Sequence, residues 1–289
     1  MTNPLNEIQQ LYHKYRLFVF AILMLLIAAL VLLFVRRGLV LPVLGLALVF
    51  HLALLRPCQK QYTDAVTTAN LTQTLCRTLG ADPPAKKGGT LLTAQTITQA
   101  GLMPCGDDQS HPLLCWEIHG KRKGITLTLC DATIPQNFHL VEKGKKRVHF
   151  NSGVWVHMEL PLDTQLHYKL IDETAVPTPI RMEYFSRKRT FETAPVGNPD
   201  LGKRFVLYRP CGTQQQPSQA LLEKLKDLMD YTPGYVALGV SGSRMDVFIR
   251  GRFVARPVSA STRPSQALLD FDPLPELAYV MELAKAVCS

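Results

Sequence analysis

The chain has neither a glycine-rich phosphate loop nor a dinucleotide-binding fingerprint, so no nucleotide cofactor is expected from its 289 residues. No two cysteines stand two residues apart, the usual ligand spacing of a zinc site. The seven cysteines (Cys58, Cys76, Cys105, Cys115, Cys130, Cys211 and Cys288) are an odd number without scaffold-like spacing. That suits reduced thiols better than a disulfide framework. Internal repeats are absent. Acidic residues are scarce, 23 against 32 basic, for a net charge of +9. This modest excess suits an anionic leaflet better than a nucleic acid, because no stacking aromatics are interleaved with the charges.

What the sequence does have is two long uncharged apolar runs near its start. Leu17 to Val35 is 19 residues without a charge. As a helix it reaches roughly 28 Å, about the thickness of a bilayer's hydrocarbon core. Leu39 to Leu55 is a second run, separated from the first by Arg36-Arg37-Gly38. Pro42 lies in its first turn, where a missing N–H costs little. His51 near its far end reads as an interfacial histidine, since neither run holds a carboxylate to pair with it. The first run is too long for a signal peptide and lacks a small-x-small cleavage site. The pair therefore reads as a transmembrane hairpin. Lys14, Arg16, Arg56 and Lys60 flank one side and Arg36 and Arg37 the other, which favours cytoplasmic termini. The expected location is the inner (plasma) membrane, crossed twice, with the soluble part in the cytoplasm.

The hairpin and tail take residues 1–57, a helical stalk 58–80 and a soluble domain 81–289, with a division into two subdomains near 195–204 left open. Behind the anchor, 28 basic residues face 22 acidic ones. Gln59 to Leu79 places Tyr62, Val66, Ala69, Cys76 and Leu79 at helical spacing, with Gly80 as a stop. Ala81 to Gly89 reads as a break, and a short helix over Thr93 to Ala100 ends at Gly101. Leu113–His119 and Gly124–Asp131 alternate as strands. Joined through Gly120-Lys-Arg-Lys123, they set Leu114 opposite Leu129, Trp116 opposite Leu127 and Ile118 opposite Ile125. Val148 to Leu160 is a third strand, ended by Pro161, and Leu166–Ile171, Ile180–Phe185 and Arg204–Tyr208 carry shorter strand patterns. Ser218 caps a helix with Leu221, Leu222, Leu225, Leu228 and Met229 on one stripe. Tyr235–Val240 and Met245–Ile249 form a hairpin, with Arg252–Arg256 extending its second arm past a bulge at Gly251. A last helix opens at Pro275, with Leu277, Val280, Met281, Ala284 and Val287 inward. The fold class is α+β: a two-helix transmembrane hairpin, then a soluble mixed domain with antiparallel strands.

Phe150, Gly153 and Trp155 on one strand, Phe205-Val-Leu-Tyr208 ahead of the leucine-striped helix, and Met245-Asp-Val-Phe-Ile249 with Phe253 resemble an uncharacterised family of bacterial membrane proteins, a domain of unknown function. The resemblance runs from about Tyr62 to the C-terminus. It implies a membrane-anchored α+β domain and supplies no catalytic residue.

Three groups of residues have the chemistry of a site, and each has a plainer reading. Gly239-Val-Ser241-Gly-Ser243 nearly matches a nucleophile elbow, but a second strand follows where that elbow needs a helix. Cys105, His111, Cys115 and His119 carry zinc-type atoms at gaps that do not suit zinc. Trp155, His157 and Glu159 share a strand face where a base could meet a carboxylate, yet no nucleophile is visible nearby. No catalytic, cofactor-binding or metal-binding residue is assigned. The basic clusters Lys121–Lys123, Lys143–Arg147 and Arg187–Arg189 read as solvated turns or as contacts with anionic headgroups. The expected partners are the bilayer, anionic headgroups and a membrane protein. The function expected is a non-enzymatic binding or scaffold domain at the cytoplasmic membrane surface. A membrane-surface enzyme, with a hydrolase as its type, and an accessory subunit of an oligomeric pore or transporter are the alternatives.

Overall fold

A computed structural model of the chain describes residues 4–103, 111–136, 141–142, 145–146, 149–172, 190–232, 234–256 and 258–289. It divides into two compact units, Met1–Thr74 with Arg256–Phe271, and Leu75–Ala255 with Asp272–Ser289.

The first unit is helical. The helix Pro4–Val35 turns back through a 3₁₀ segment, Arg37–Leu39, into a second helical run, Arg37–Leu79. Both are long and apolar enough to cross a membrane. Their apolar side chains point largely outward, Leu17, Phe20, Phe34 and Leu41 among them, as lipid-facing residues do. Within the second run, His51–Leu55 forms a π-helical turn, and the Arg56 amide reaches the His51 carbonyl. Pro57 follows and has no N–H to give the carbonyl four residues back, so the wider turn absorbs that vacancy. Beyond the apolar runs, Ile8 and Tyr12 pack with Tyr62 and Val66 of the stalk and with Leu269. Asn70 fastens the segment 268–271, its side-chain amide donating to the carbonyls of Leu268, Leu269 and Phe271 at 2.8–3.2 Å. The helix expected over Gln59–Leu79 is present and ends at Gly80, whose φ of 59° is the left-handed conformation glycine accepts freely.

The second unit is built on one antiparallel sheet. Its strands are β1 (Ala85–Lys87), β2 (Leu113–Arg122), β3 (Ile125–Gln136), β4 (Val141–Glu142), β5 (Lys145–Lys146), β6 (His149–Glu159), β7 (His167–Asp172), β8 (Phe191–Ala194), β9 (Phe205–Pro210), β10 (Val236–Ser241) and β11 (Arg244–Arg250). Nine of them form the sheet in the order β1-β2-β3-β6-β11-β10-β7-β9-β8, and β4 and β5 pair separately. Both edge strands are short, which limits pairing with other chains. Val154, Val156 and Met158 point to one face and Trp155 and His157 to the other. The helices Gln219–Tyr231 and Glu276–Cys288 pack antiparallel, with Tyr231 stacked on Tyr279 and the Ser218 hydroxyl donating to the Ala286 carbonyl. The expected stripes, Leu221 to Leu228 and Leu277 to Val287, are buried. The α+β class is therefore the architecture of the chain.

Three expectations are corrected. The first hairpin turns on two residues, Lys123 and Gly124, at φ of 52° and 84°. Such a turn matches the twist of the strands better than a four-residue loop does. Ile118 consequently faces Leu129, and a bulge at Trp116 (φ 54°) brings Leu114 opposite Ala132. Second, Arg252–Arg256 does not extend β11, because the amides of Val254 and Ala255 donate to the Asp131 carboxylate instead of to a strand. Third, the break expected over Ala81–Gly89 contains β1, paired to β2. The strand pattern at Ile180–Phe185 and the cluster Arg187–Arg189 lie outside the described residues, as do Cys105, Lys143, Gly144 and Arg147.

Candidate functional site

Alternation along β6 puts Trp155, His157 and Glu159 on one face, and the antiparallel register then assembles a row across it. Asp246 stands opposite His157, Gly239 opposite Asp246, and Lys169 opposite Gly239. One step along, Ser241 pairs with both Arg244 and His167. The inner half of this face is closed by Leu92, Ile97, Leu102 and Met103 over Cys130, Trp155 and Phe248. Gly239 permits that closure: a Cβ there would lie 2.8 Å from Leu102 Cδ2. The outer half stays open beside the helix Ala94–Ala100, whose Thr93 hydroxyl accepts from the Thr96 amide as an N-cap. A cavity of about 230 Å³ results, walled by Gln99, His157, His167, Lys169, Ser241 and Arg244 among others.

Two polar couples are fixed in this cleft. The indole Nε1 of Trp155 donates to Asp246 Oδ1 at 2.8 Å, and His157 Nδ1 lies 2.9 Å from the same oxygen. Both partners are mostly buried, with side-chain exposures of 16% for His157 and 12% for Asp246. Burial pushes the imidazole pKa down, but the hydrogen bond and charge of Asp246 outweigh it, Glu159 adds to them, and Arg244 opposes. The net position lies above the ordinary histidine value. The second couple is His167 Nδ1 with Ser241 Oγ at 3.1 Å. Lys169 Nζ sits 4.8 Å from the centre of the Phe191 ring.

An aspartate that orients a histidine is half of a catalytic triad. Completing it requires a nucleophile within reach of the other ring nitrogen. Ser241 and His157 are separated by the whole of β11 and by two residues along the strands, roughly 12 Å between Cα atoms at ordinary strand spacing. Ser241 bonds to His167 instead, and among the described residues no carboxylate bonds to that ring. Ser241 itself ends β10 ahead of a Gly242-Ser243 turn that leads into β11, the strand–turn–strand arrangement that argues against an elbow.

The remaining residues with site chemistry are scattered. Cys105 is outside the described residues, His111 is exposed, His119 bonds to Thr128 at 3.0 Å, and Cys115 faces Asp131. No metal-holding group of three or more ligand side chains occurs among the described residues. The carboxylate that His157 meets is Asp246, not Glu159, which the strand's alternation places on the same face two residues on. A signal for this existed in the sequence: Asp246 is the lone acid in Met245–Ile249, and a charge inside a strand buried on both faces needs a partner.

Among the described residues four further carboxylates are buried, Glu117, Asp131, Asp172 and Glu276; Asp172 and Glu276 pair with Arg204 and Arg252, whereas Glu117 and Asp131 organise backbone. Glu117 accepts from the amides of Gly89, Leu91 and Leu92 at 2.8–3.4 Å and from the Thr90 hydroxyl. Burial raises its pKa, but these donors together bring it below the usual value. Asp131 accepts from Val254 and Ala255 at 2.6 and 3.0 Å, yet burial outweighs these bonds and pushes its carboxyl up to about 7.

The fold and cleft define an α+β protein with, among its described residues, two helices of membrane-spanning length. No protein-family model and no curated protein matches the chain. Among solved structures, it is similar to the crystal structure of the mycobacterial trehalose monomycolate transport factor A, TtfA. The identity is 10% and the TM-score 0.37, with 76% of this chain and 95% of that chain covered.

Proposed function

We propose that the protein is a membrane-anchored, non-enzymatic binding domain, held by its helical hairpin in the inner (plasma) membrane with the sheet domain on the cytoplasmic side. The observation that carries this reading is the pairing in the cleft. His157 is committed to Asp246 and Ser241 to His167, so polar groups are fixed for a ligand while, among the described residues, no hydroxyl or thiol is hydrogen-bonded to the oriented imidazole. The cytoplasmic side is supported by the flanking basic residues and by free thiols at Cys58, Cys76, Cys115, Cys130, Cys211 and Cys288. An anionic lipid partner is supported where the second apolar run ends. Leu52, Arg56 and Lys60 recur every four residues, and with Gln59 and Thr63 they line an open groove of about 590 Å³.

A membrane-surface hydrolase is the second reading, favoured by the Asp246–His157 couple alone. The two are separated by profiling the detergent-solubilised full chain against ester, amide and phosphoester substrates. The binding reading expects no turnover that His157→Gln removes. Turnover abolished by both His157→Gln and Ser241→Ala would overturn it.

A further inference from the structure

We infer that the groove at the end of the second apolar run reads the headgroup of an anionic phospholipid that carries hydroxyls, with Arg56 and Lys60 on the phosphate and Gln59 and Thr63 on the polyol beyond it. This deepens the lipid part of the proposed function and rests on it.

Residues follow one another along the groove in the order of groups along a lipid. Leu52, Arg56, Lys60 and Thr63 all line it, at intervals of four, four and three residues on one helical run. That spacing puts them on one face. Leu52 is exposed and belongs to the apolar run, where an acyl chain passes. Arg56 stands roughly 6 Å further along the axis and Lys60 roughly 6 Å beyond that. A planar fork and a point charge at this separation can close on one phosphate. Among the described residues neither side chain takes part in an ion pair. The groove starts on the π-helical turn His51–Leu55, a local widening of the helix that is frequent at functional sites.

Hydrogen bonding beyond the two cations selects the headgroup. The Thr63 hydroxyl donates to the Lys60 carbonyl at 3.1 Å, which commits its single proton and leaves lone pairs to accept. Gln59 is exposed beside it and offers both an amide donor and a carbonyl acceptor. Two acceptors at this level call for a donor on the ligand. No carboxylate lines the groove, and Asp64, next to Thr63 in the chain, is outside its wall. An ammonium headgroup would thus meet Lys60 without a counter-charge, whereas a hydroxyl needs none. The volume of about 590 Å³ lies within the roughly 300–1,000 Å³ of ligand pockets. Phosphatidylglycerol is the simplest lipid with this combination of charge and donors.

The test is native mass spectrometry of the full chain in neutral detergent, titrated with short-chain lipids. Phosphatidylglycerol is compared with phosphatidylmethanol, which has the same single charge and no hydroxyl, and with phosphatidylserine and phosphatidylcholine. Phosphatidylglycerol should bind at least about fivefold more tightly than phosphatidylmethanol. The double variant Gln59→Met, Thr63→Val should lose that preference while keeping its affinity for phosphatidylmethanol, which also reports an intact groove. Arg56→Ala should weaken both lipids alike. Equal affinity for phosphatidylglycerol and phosphatidylmethanol, phosphatidylserine binding as tightly as phosphatidylglycerol, or a preference undiminished in the double variant overturns the inference. Any of these with anionic lipids still bound above phosphatidylcholine leaves the anionic-lipid reading standing. Anionic lipids bound no better than phosphatidylcholine remove that reading as well.

Discussion

His157 and Asp246 face each other across adjacent strands, and their 2.9 Å contact shares one carboxylate oxygen with the indole of Trp155. The arrangement fixes the imidazole's tautomer, since Nδ1 must carry the proton to donate to that oxygen. It also ties the apolar, covered half of the sheet face to its open, polar half.

Asp246→Asn should lower the His157 pKa, read from its ring signals in an NMR pH titration. The folded-state value is raised above the unfolded one of about 6.5. The couple's contribution is therefore fully present below that pH and lost as pH rises through the folded value. The variant should flatten this dependence and cost about 1–3 kcal/mol at pH 6, measured by denaturant unfolding.

Asp131 has the opposite character from an ordinary salt-bridged acid. Burial raises its pKa to about 7, so the folded chain holds a proton that the unfolded chain releases near 4. Stability from this group is complete below about 4 and declines as pH rises to about 7. Asp131→Asn keeps an acceptor for Val254 and Ala255 and should remove that slope from the unfolding midpoint.

Glu117 runs the other way. Its folded pKa is lowered, so its contribution is present above about 4.3 and lost as pH falls through the folded value. Glu117→Ala should cost about 1.5–3 kcal/mol at neutral pH and speed hydrogen exchange at the Gly89, Leu91 and Leu92 amides.

Gly153 has no room for a side chain. A Cβ there would lie 2.2 Å from the Ile249 carbonyl oxygen and 2.8 Å from Arg250 Cα, both backbone atoms of the paired strand. Gly153→Ala should cost at least about 1–3 kcal/mol, with a lowered midpoint in thermal unfolding.

The groove at Arg56 and Lys60 makes a prediction about lipid. Each basic residue near an anionic surface contributes about 1 kcal/mol. The double substitution Arg56→Ala, Lys60→Ala should weaken retention of anionic phospholipid by roughly 30-fold, quantified by mass spectrometry of lipids extracted from the purified protein.

The sequence made the strands and helices legible where one period dominated. Val154, Val156 and Met158 on β6, the leucines from Leu221 to Leu228 and the stalk from Tyr62 to Leu79 all report a face repeatedly buried against the same neighbour. It failed at the first hairpin, where a two-residue turn and a bulge at Trp116 moved Leu114 onto the other face. Alternation alone is compatible with either register there. It also missed the short strands β1 and β8, whose few residues carry too little pattern to stand out.

The candidate site was half legible. His157, Trp155 and Ser241 stood out by residue type and position, but their partners lie 74 to 91 residues away in the chain. Glu159, two residues from His157, was the natural local choice. The cross-strand register selected Asp246 instead.

The sequence by itself determined the bilayer-length hairpin, the helical stalk and the alternating strands of an α+β domain, because each follows from the spacing of apolar residues within one short segment. Only the tertiary structure decided which carboxylate serves His157, which histidine meets Ser241, and that Glu117 and Asp131 bind backbone amides. Those pairings depend on strand order and register, which are set by how a nine-stranded sheet buries both its faces and not by any local run of residues.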